Sequence, residues 1–178
     1  MKPFTKNEII MTLSIFVILL AIAIPNFALS IKRGRDTTRK NDFGSLVNTL
    51  DSFQAVNASF PLSSSDGRIV ACLSPGEEPE VDSFGNIINF IPCDWGIQTP
   101  YLGNLPNDPQ KNLGLKYVYI SNGNRYQIYG SLEDGGQDEY DEKIIRRGIS
   151  CGVRVCNYGR SYGRTPLDIS IEEYELQI

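Results

Sequence analysis

The sequence predicts an α+β protein in which one long N-terminal helix, its first half apolar enough to lie in a membrane, carries a globular head built on an antiparallel β-sheet. Three observations lead there. Ile9 to Ile31 is a run of 23 residues without a charge, and about 20 apolar residues in a helix cross the hydrocarbon core of a bilayer. Phe43, Leu46, Val47, Leu50 and Phe53 then recur three and four apart, the period of one buried helix face. Finally, Tyr117-Val118-Tyr119-Ile120 and Arg125-Tyr126-Gln127-Ile128-Tyr129 flank Ser121-Asn122-Gly123-Asn124, and Asn-Gly between aromatic and β-branched runs signals a hairpin.

The N-terminal segment sets Phe4-Thr5-Lys6-Asn7-Glu8 before the apolar run and Ala23-Ile24-Pro25-Asn26-Phe27 within it. A carboxylate near hydrocarbon costs energy, about 2.5 to 3.5 kcal/mol at a helix centre and less near the interface, so Glu8 favours a state that supplies a positive partner. Pro25 has no backbone N–H and removes one or two helical hydrogen bonds. Together these residues resemble the N-terminal segment of type IV pilins and of the pseudopilins of type II secretion. The resemblance implies a prepilin leader of residues 1–3, cut between Pro3 and Phe4 by the prepilin peptidase, and methylation of the new amine. That amine would pair with Glu8, and Pro25 would mark the place where such helices melt or bend in filaments. It also implies copies of the same chain, an inner-membrane assembly platform and minor pilins as partners. The chain departs from the family at Pro3, where the family has Gly, and at Lys6 and Asn7, where it tends to be apolar. Two plainer readings stand beside it: a signal anchor with Glu8 among headgroups, and a secretory signal peptide cut near Ala28-Leu29-Ser30. The apolar stretch of a signal peptide usually runs about 7 to 15 residues, shorter than this one.

If residues 6 to 56 are one helix, it is roughly 75 Å long at about 1.5 Å per residue. Its halves are a transmembrane or filament-core segment, 4–31, and an amphipathic segment, 32–56, that packs on a head of residues 57–178. Lys32, Arg33, Arg35, Arg39 and Lys40 follow the apolar run with only Asp36 opposing them. By the positive-inside rule this cluster would hold the head in the cytoplasm. The cysteines argue otherwise. Cys72, Cys93, Cys151 and Cys156 are an even set that fits two disulfides in an oxidising compartment, with Cys72–Cys93 and Cys151–Cys156 the pairing that closes most readily. A zinc site of four thiolates would need two close pairs, and the chain supplies one. The head is therefore expected outside the cytoplasm, and the basic cluster is expected to contact headgroups or a neighbouring subunit.

Phe60-Pro61 is expected to end the helix, and 62–100, rich in Ser, Gly and Pro, reads as a long loop stapled by Cys72 and Cys93. The Leu-Pro-x-Asp-Pro segment from Leu105 to Pro109, followed by two Tyr-rich strands, resembles the C-terminal sheet of major pseudopilins. The tyrosines read as packing residues across strands, and Trp95 as filling space under the loop. Asp134, Asp138, Glu139, Asp141 and Glu142 form an acidic loop around Gly135-Gly136. Several major pseudopilins hold calcium after the sheet, which makes Asp134, Asp138 and Asp141 weak calcium candidates. Their spacing is not that of an EF-hand, and a solvated charge run is the simpler reading. Beyond Lys143 the resemblance stops: 143–149 reads as a last strand, 151–156 as a small closed loop, and 169–178 as a strand or tail.

Composition bounds the function. The net charge of −4 gives no support to a specific nucleic-acid binder, which needs a basic surface. The chain has no histidine, which excludes Ser-His-Asp triads and His-Glu-x-x-His zinc motifs, and no phosphate-binding Gly-rich loop is present. No enzyme activity and no cofactor are expected. The resemblance implies a structural subunit of a type IV pilus or a type II secretion pseudopilus, single-pass in the membrane before assembly and on the cell surface afterwards. The alternative is a non-polymeric, membrane-anchored extracytoplasmic binding module that displays the 151–162 region.

Overall fold

The computed structural model describes residues 5–83, 85 and 87–178. Its first element is the helix α1 (Lys6–Asn57), about 78 Å long at 1.5 Å per residue. The helix starts where Thr5 and Glu8 satisfy each other: the Glu8 N–H donates to Thr5 Oγ1, and the Thr5 N–H donates to Glu8 Oε2 at 2.7 Å. This reciprocal cap serves two backbone donors that the first turn leaves free. The helix runs unbroken through Pro25, while the Asn26 side chain donates to the Ile22 carbonyl at 3.0 Å.

At its far end the helix stops at Asn57, one residue beyond the expected bound and before Phe60-Pro61. Ala58 takes a left-handed conformation, φ 58°, and its N–H bonds the Gln54 carbonyl at 2.8 Å. That cap turns the chain so that Phe60 enters the core, its ring edge-on to Tyr126 at 4.8 Å.

The buried face of α1 is Asp36, Arg39, Phe43, Leu46, Leu50 and Phe53, while 5–34 is exposed throughout. The head therefore packs on the second half of the helix alone. Among the described residues it contains three small antiparallel sheets. β1 (Leu62–Ser63), β2 (Ile69–Cys72) and β3 (Ile91–Pro92) form the first, β4 (Gln98–Thr99) and β5 (Gly103–Asn104) the second, and β6 (Val118–Ser121), β7 (Tyr126–Gly130) and β8 (Tyr158–Ser161) the third. The predicted hairpin is β6–β7, in register Val118↔Tyr129 to Ser121↔Tyr126, with Gly123 at φ 89° in its turn. β8 pairs with the other edge of β7, from Gln127↔Ser161 to Gly130↔Tyr158.

Three expectations are corrected. The 62–100 segment is not one loop, because Ile69-Val70-Ala71-Cys72 is a mostly buried run that pairs on both sides. The 143–149 segment is not a strand. Asp141 accepts from the Lys143 N–H at 2.8 Å and caps the short helix α2 (Glu142–Arg146), which buries only Ile144. Nor is 169–178 a strand: Ser170 caps α3 (Ile171–Glu175) by accepting from the Glu173 N–H.

Between helix and third sheet the core is aromatic. Phe43 meets Tyr117 edge-on at 5.1 Å and stacks on Tyr158 at 5.0 Å. Gly130 makes this approach possible, since a Cβ there would lie 3.0 Å from the Phe43 ring. Tyr117, Tyr119, Tyr126 and Tyr129 are buried, in the packing role expected of them, and Tyr158 is buried with them. The disulfides Cys72–Cys93 and Cys151–Cys156 are both formed.

Candidate assembly surface

Two features stand out, a bare apolar shaft and a buried ionic joint between the helix and the head. Along the shaft, Ile9, Leu13, Phe16, Leu20, Ile24 and Phe27 are exposed, and the helix is long and apolar enough to cross a membrane. The run contains four polar side chains, and each folds back onto the carbonyl four residues earlier. Thr12 donates to Glu8, Ser14 to Ile10, Asn26 to Ile22 and Ser30 to Asn26, at 2.8 to 3.0 Å. In hydrocarbon an unpaired polar group costs several kcal/mol, so these internal bonds let the whole surface of the shaft meet lipid or another helix. Among the described residues the Glu8 side chain, at the start of the shaft, bonds Thr5. The predicted processing site at Pro3 and Phe4 lies outside the described residues.

The joint is built from charges that the sequence places just beyond the shaft. Arg39 is fully buried and its fork is filled: Nε and Nη2 donate to Asp108 at 2.8 and 3.0 Å, Nη1 to Asp36 at 2.7 Å and to Glu133 at 3.0 Å, and Nη2 also to Gln110 at 3.1 Å. Arg35 holds Glu133 from the other side with two bonds of 2.6 Å. Asp36, also fully buried, accepts from the backbone N–H groups of Glu133 and Asp134 and from Gln137 Nε2. Buried charge is tolerated only when paired and hydrogen-bonded, and each member of this cluster is.

The electrostatics follow from these contacts. The Arg35 bond, helped by Arg39 and opposed by burial, holds the Glu133 carboxyl at about 2. Burial acts to lower the Arg39 pKa, but the bonds to Asp108, Glu133 and Asp36 outweigh it and the net shift is upward. Next to the cluster, Tyr117 donates to Asp42 at 2.6 Å. Burial raises the Asp42 pKa against that bond, and burial with the Asp42 carboxylate pushes the Tyr117 phenol up.

The acidic loop is thus no freely solvated run. Asp134 takes Arg33 at 2.9 Å and Glu139 takes Lys40 at 2.7 Å, so the predicted headgroup or inter-subunit role of the basic cluster is corrected for Arg33, Arg35, Arg39 and Lys40, which face their own head. Of the weak calcium candidates, Asp134 is engaged by Arg33 and the Gly136 N–H, and Asp141 caps α2. Among the described residues no three acidic or cysteine side chains gather in a group able to hold a metal.

Sequence reasoning did not single out Asp36, Arg39, Asp108 and Glu133 as a unit. One signal was available: Asp36 and Arg39 continue the three-and-four spacing of Phe43, Leu46 and Leu50 backwards, which puts two charges on the buried stripe. Trp95, expected under the loop, sits edge-on to Tyr117 at 5.8 Å, its indole N–H without a hydrogen-bond partner among the described residues.

The Cys151–Cys156 bond closes a small hairpin, with the Cys151 N–H bonded to the Arg154 carbonyl and the Cys156 N–H to the Ile149 carbonyl. It docks on the 3₁₀ turn Lys111–Leu113 and the Gly114 that follows, where the Val153 N–H donates to the Gly114 carbonyl at 3.1 Å. A Cβ at Gly152 would lie 1.9 Å from that carbonyl oxygen, so only glycine allows the approach. At the tip Val153, Arg154 and Val155 are exposed. The chain matches no protein-family model, no curated protein and no solved structure.

Proposed function

We propose that this protein is a filament subunit of the type IV pilin or type II secretion pseudopilin kind, structural rather than catalytic, that waits in the membrane with its head outside the cytoplasm and polymerises through its N-terminal helix. One observation carries the reading: α1 continues as a single helix from an exposed apolar shaft into a segment clamped in the head. A plain membrane anchor needs a flexible tether at most. A filament subunit needs its head held at a fixed angle to the helix that packs in the core, and the buried Arg39 cluster supplies that rigidity. Two disulfides suit an extracytoplasmic head. Prepilin peptidase, an assembly platform and minor pilins would then be the partners.

A second reading has one observation in its favour. The hairpin closed by Cys151 and Cys156 displays Val153, Arg154 and Val155 on a rigid knob, which suits a non-polymeric, membrane-anchored binding module. The mass of the N-terminal peptide, from native membranes or a sheared surface fraction, separates the two. A chain that begins at Phe4 with an added methyl group is the expected result. A chain that begins at Met1, with no sheared fibres, overturns the filament reading in favour of the binding module.

A further inference from the structure

Charge is segregated along the head. From residue 69 to 110 there are six Asp and Glu and no Lys or Arg, and from 143 to 167 there are six Lys and Arg and no Asp or Glu. Some of these charges are spent internally. Asp94 pairs with Arg68, Asp108 with Arg39, Arg147 bonds Gln127 and Tyr129, and Arg160 bonds Tyr158. Among the charges that remain, and with Lys111 beside the second range, two exposed groups of opposite sign stand next to exposed aliphatic side chains. Glu77, Glu78 and Glu80 stand on an arm between Cys72 and Cys93, beside the exposed Val81 and Ile88. Arg154 stands on the knob beside the exposed Val153 and Val155, with Lys111 and the exposed Leu113 on the turn that the knob touches. None of these five charged side chains has an ion-pair partner among the described residues.

The patches also lie at different heights along α1. The arm returns to the helix at Phe90, whose ring faces Phe53, and Phe53, Asn57, Ile87 and Ile88 line one groove. The turn that supports the knob follows Asp108 and Gln110, which bind Arg39, and precedes Tyr117, which binds Asp42 and packs on Phe43. Ten residues of helix separate Phe43 from Phe53, about 15 Å. The acidic patch is distal from the membrane end and the basic patch proximal to it.

We propose that these patches bind each other between copies: the Glu77–Glu80 arm of one head against the Lys111–Arg154 face of the next copy, which stands further from the membrane. The inference rests on the filament reading. Two aliphatic residues beside three acids on one side and three beside two bases on the other fit each other and repel their own kind, and opposed charges both steer and fix register. The patches are distinct surfaces at different heights, so the contact is heterologous and repeats without closing. An exposed ion pair is worth only about 0.2 to 1 kcal/mol, but a filament repeats it at every step.

The test uses full-length protein in its own membranes and zero-length carbodiimide coupling, which joins a Lys amine to a carboxylate in contact. Coupling of Lys111 to Glu77, Glu78 or Glu80 of another copy is the expected product, mapped by mass spectrometry. Arg154→Glu and Glu80→Lys should each lower that product and the sheared-fibre yield about tenfold, the factor that 1.4 kcal/mol represents, and the double variant should restore both. Wild-type fibres that persist unchanged in both single variants overturn the head contact and leave the filament reading standing. Absence of fibres and of the coupled product from the wild type overturns both. Loss of binding to anionic vesicles or to nucleic acid in Arg154→Glu, with coupling between copies unchanged, assigns the basic face to a different partner.

Discussion

Arg39 is the residue on which the joint turns. Its guanidinium faces Asp36, Asp108 and Glu133 in a site with no exposure, so removing it leaves three carboxylates around an uncompensated space. Breaking a buried ion pair by deleting one partner costs about 3 to 5 kcal/mol, and Arg39→Met should lower stability by that amount. Arg39→Lys should fall between the two, because an ammonium cannot reproduce the two-pronged bond to Asp108. Trp95 reports the change directly: it lies against Tyr117, which touches both Asp42 and Phe43, and it is the only tryptophan. Urea unfolding in detergent, followed by its emission, measures the loss. The same probe reads the effect of acid. Glu133 is held at about 2 from an ordinary 4.5, so the folded state favours its ionised form. Its contribution is complete above pH of about 4.5 and is lost as pH falls through 2. Asp42, shifted upward by burial, has the opposite sign, since the folded state takes up its proton more readily. The joint should therefore loosen only below pH 4.5, with a shift in Trp95 emission, and an unchanged emission down to pH 2 would contradict the assignment.

At the scale of elements, the knob depends on its short covalent loop. Closing six residues removes about 2 kcal/mol of chain entropy from the unfolded state, and both cysteines are buried against Val118, Tyr129 and Ile144. Cys151→Ala with Cys156→Ala should raise hydrogen exchange at the Val153 and Lys116 amides, which bond Gly114 and Cys151. The Tyr119 amide, bonded to Gly67, should stay protected. Elements with a strong local signal were legible in the sequence: α1 by its run and its stripe, and β6–β7 by Asn122-Gly123. The strand β8 was not, because Tyr158-Gly159-Arg160-Ser161 has little alternation; its place is set by pairing with β7, 28 or more residues away in sequence. In and just after α2 the isoleucines at 144, 145 and 149 imitate a strand, and the side-chain cap from Asp141 starts a helix instead. Of the joint, the basic half was visible as a cluster. Of its acidic partners, Asp134 and Glu139 were read as a solvated loop, Asp108 only as part of the Leu-Pro-x-Asp-Pro segment, and Glu133 was not singled out, because contacts across about 70 to 100 residues leave no local pattern.

For the whole molecule, the division of labour runs along one helix: a shaft whose four polar side chains each donate to a carbonyl one turn back, then a joint, then a head. Glu8 is the exception on the shaft, a carboxylate at the start of a segment that otherwise carries no charge. Among the described residues its side chain is half of the cap with Thr5, and losing a cap costs about 0.5 to 2 kcal/mol, too little to expel a run of 23 apolar residues from a membrane. Glu8→Ala should therefore stay membrane-bound and well folded by Trp95 emission, yet give no sheared fibres, since its charge is what would pair with the amine of a neighbouring copy and set the stagger between helices. Glu8→Gln separates cap from charge. Its amide oxygen can still accept the Thr5 N–H, so it keeps the cap and loses the ionic partner, and it should fail to form fibres as Glu8→Ala does. Fibres from Glu8→Gln but not from Glu8→Ala would assign the residue to the cap, and normal yield from both would remove Glu8 from assembly altogether.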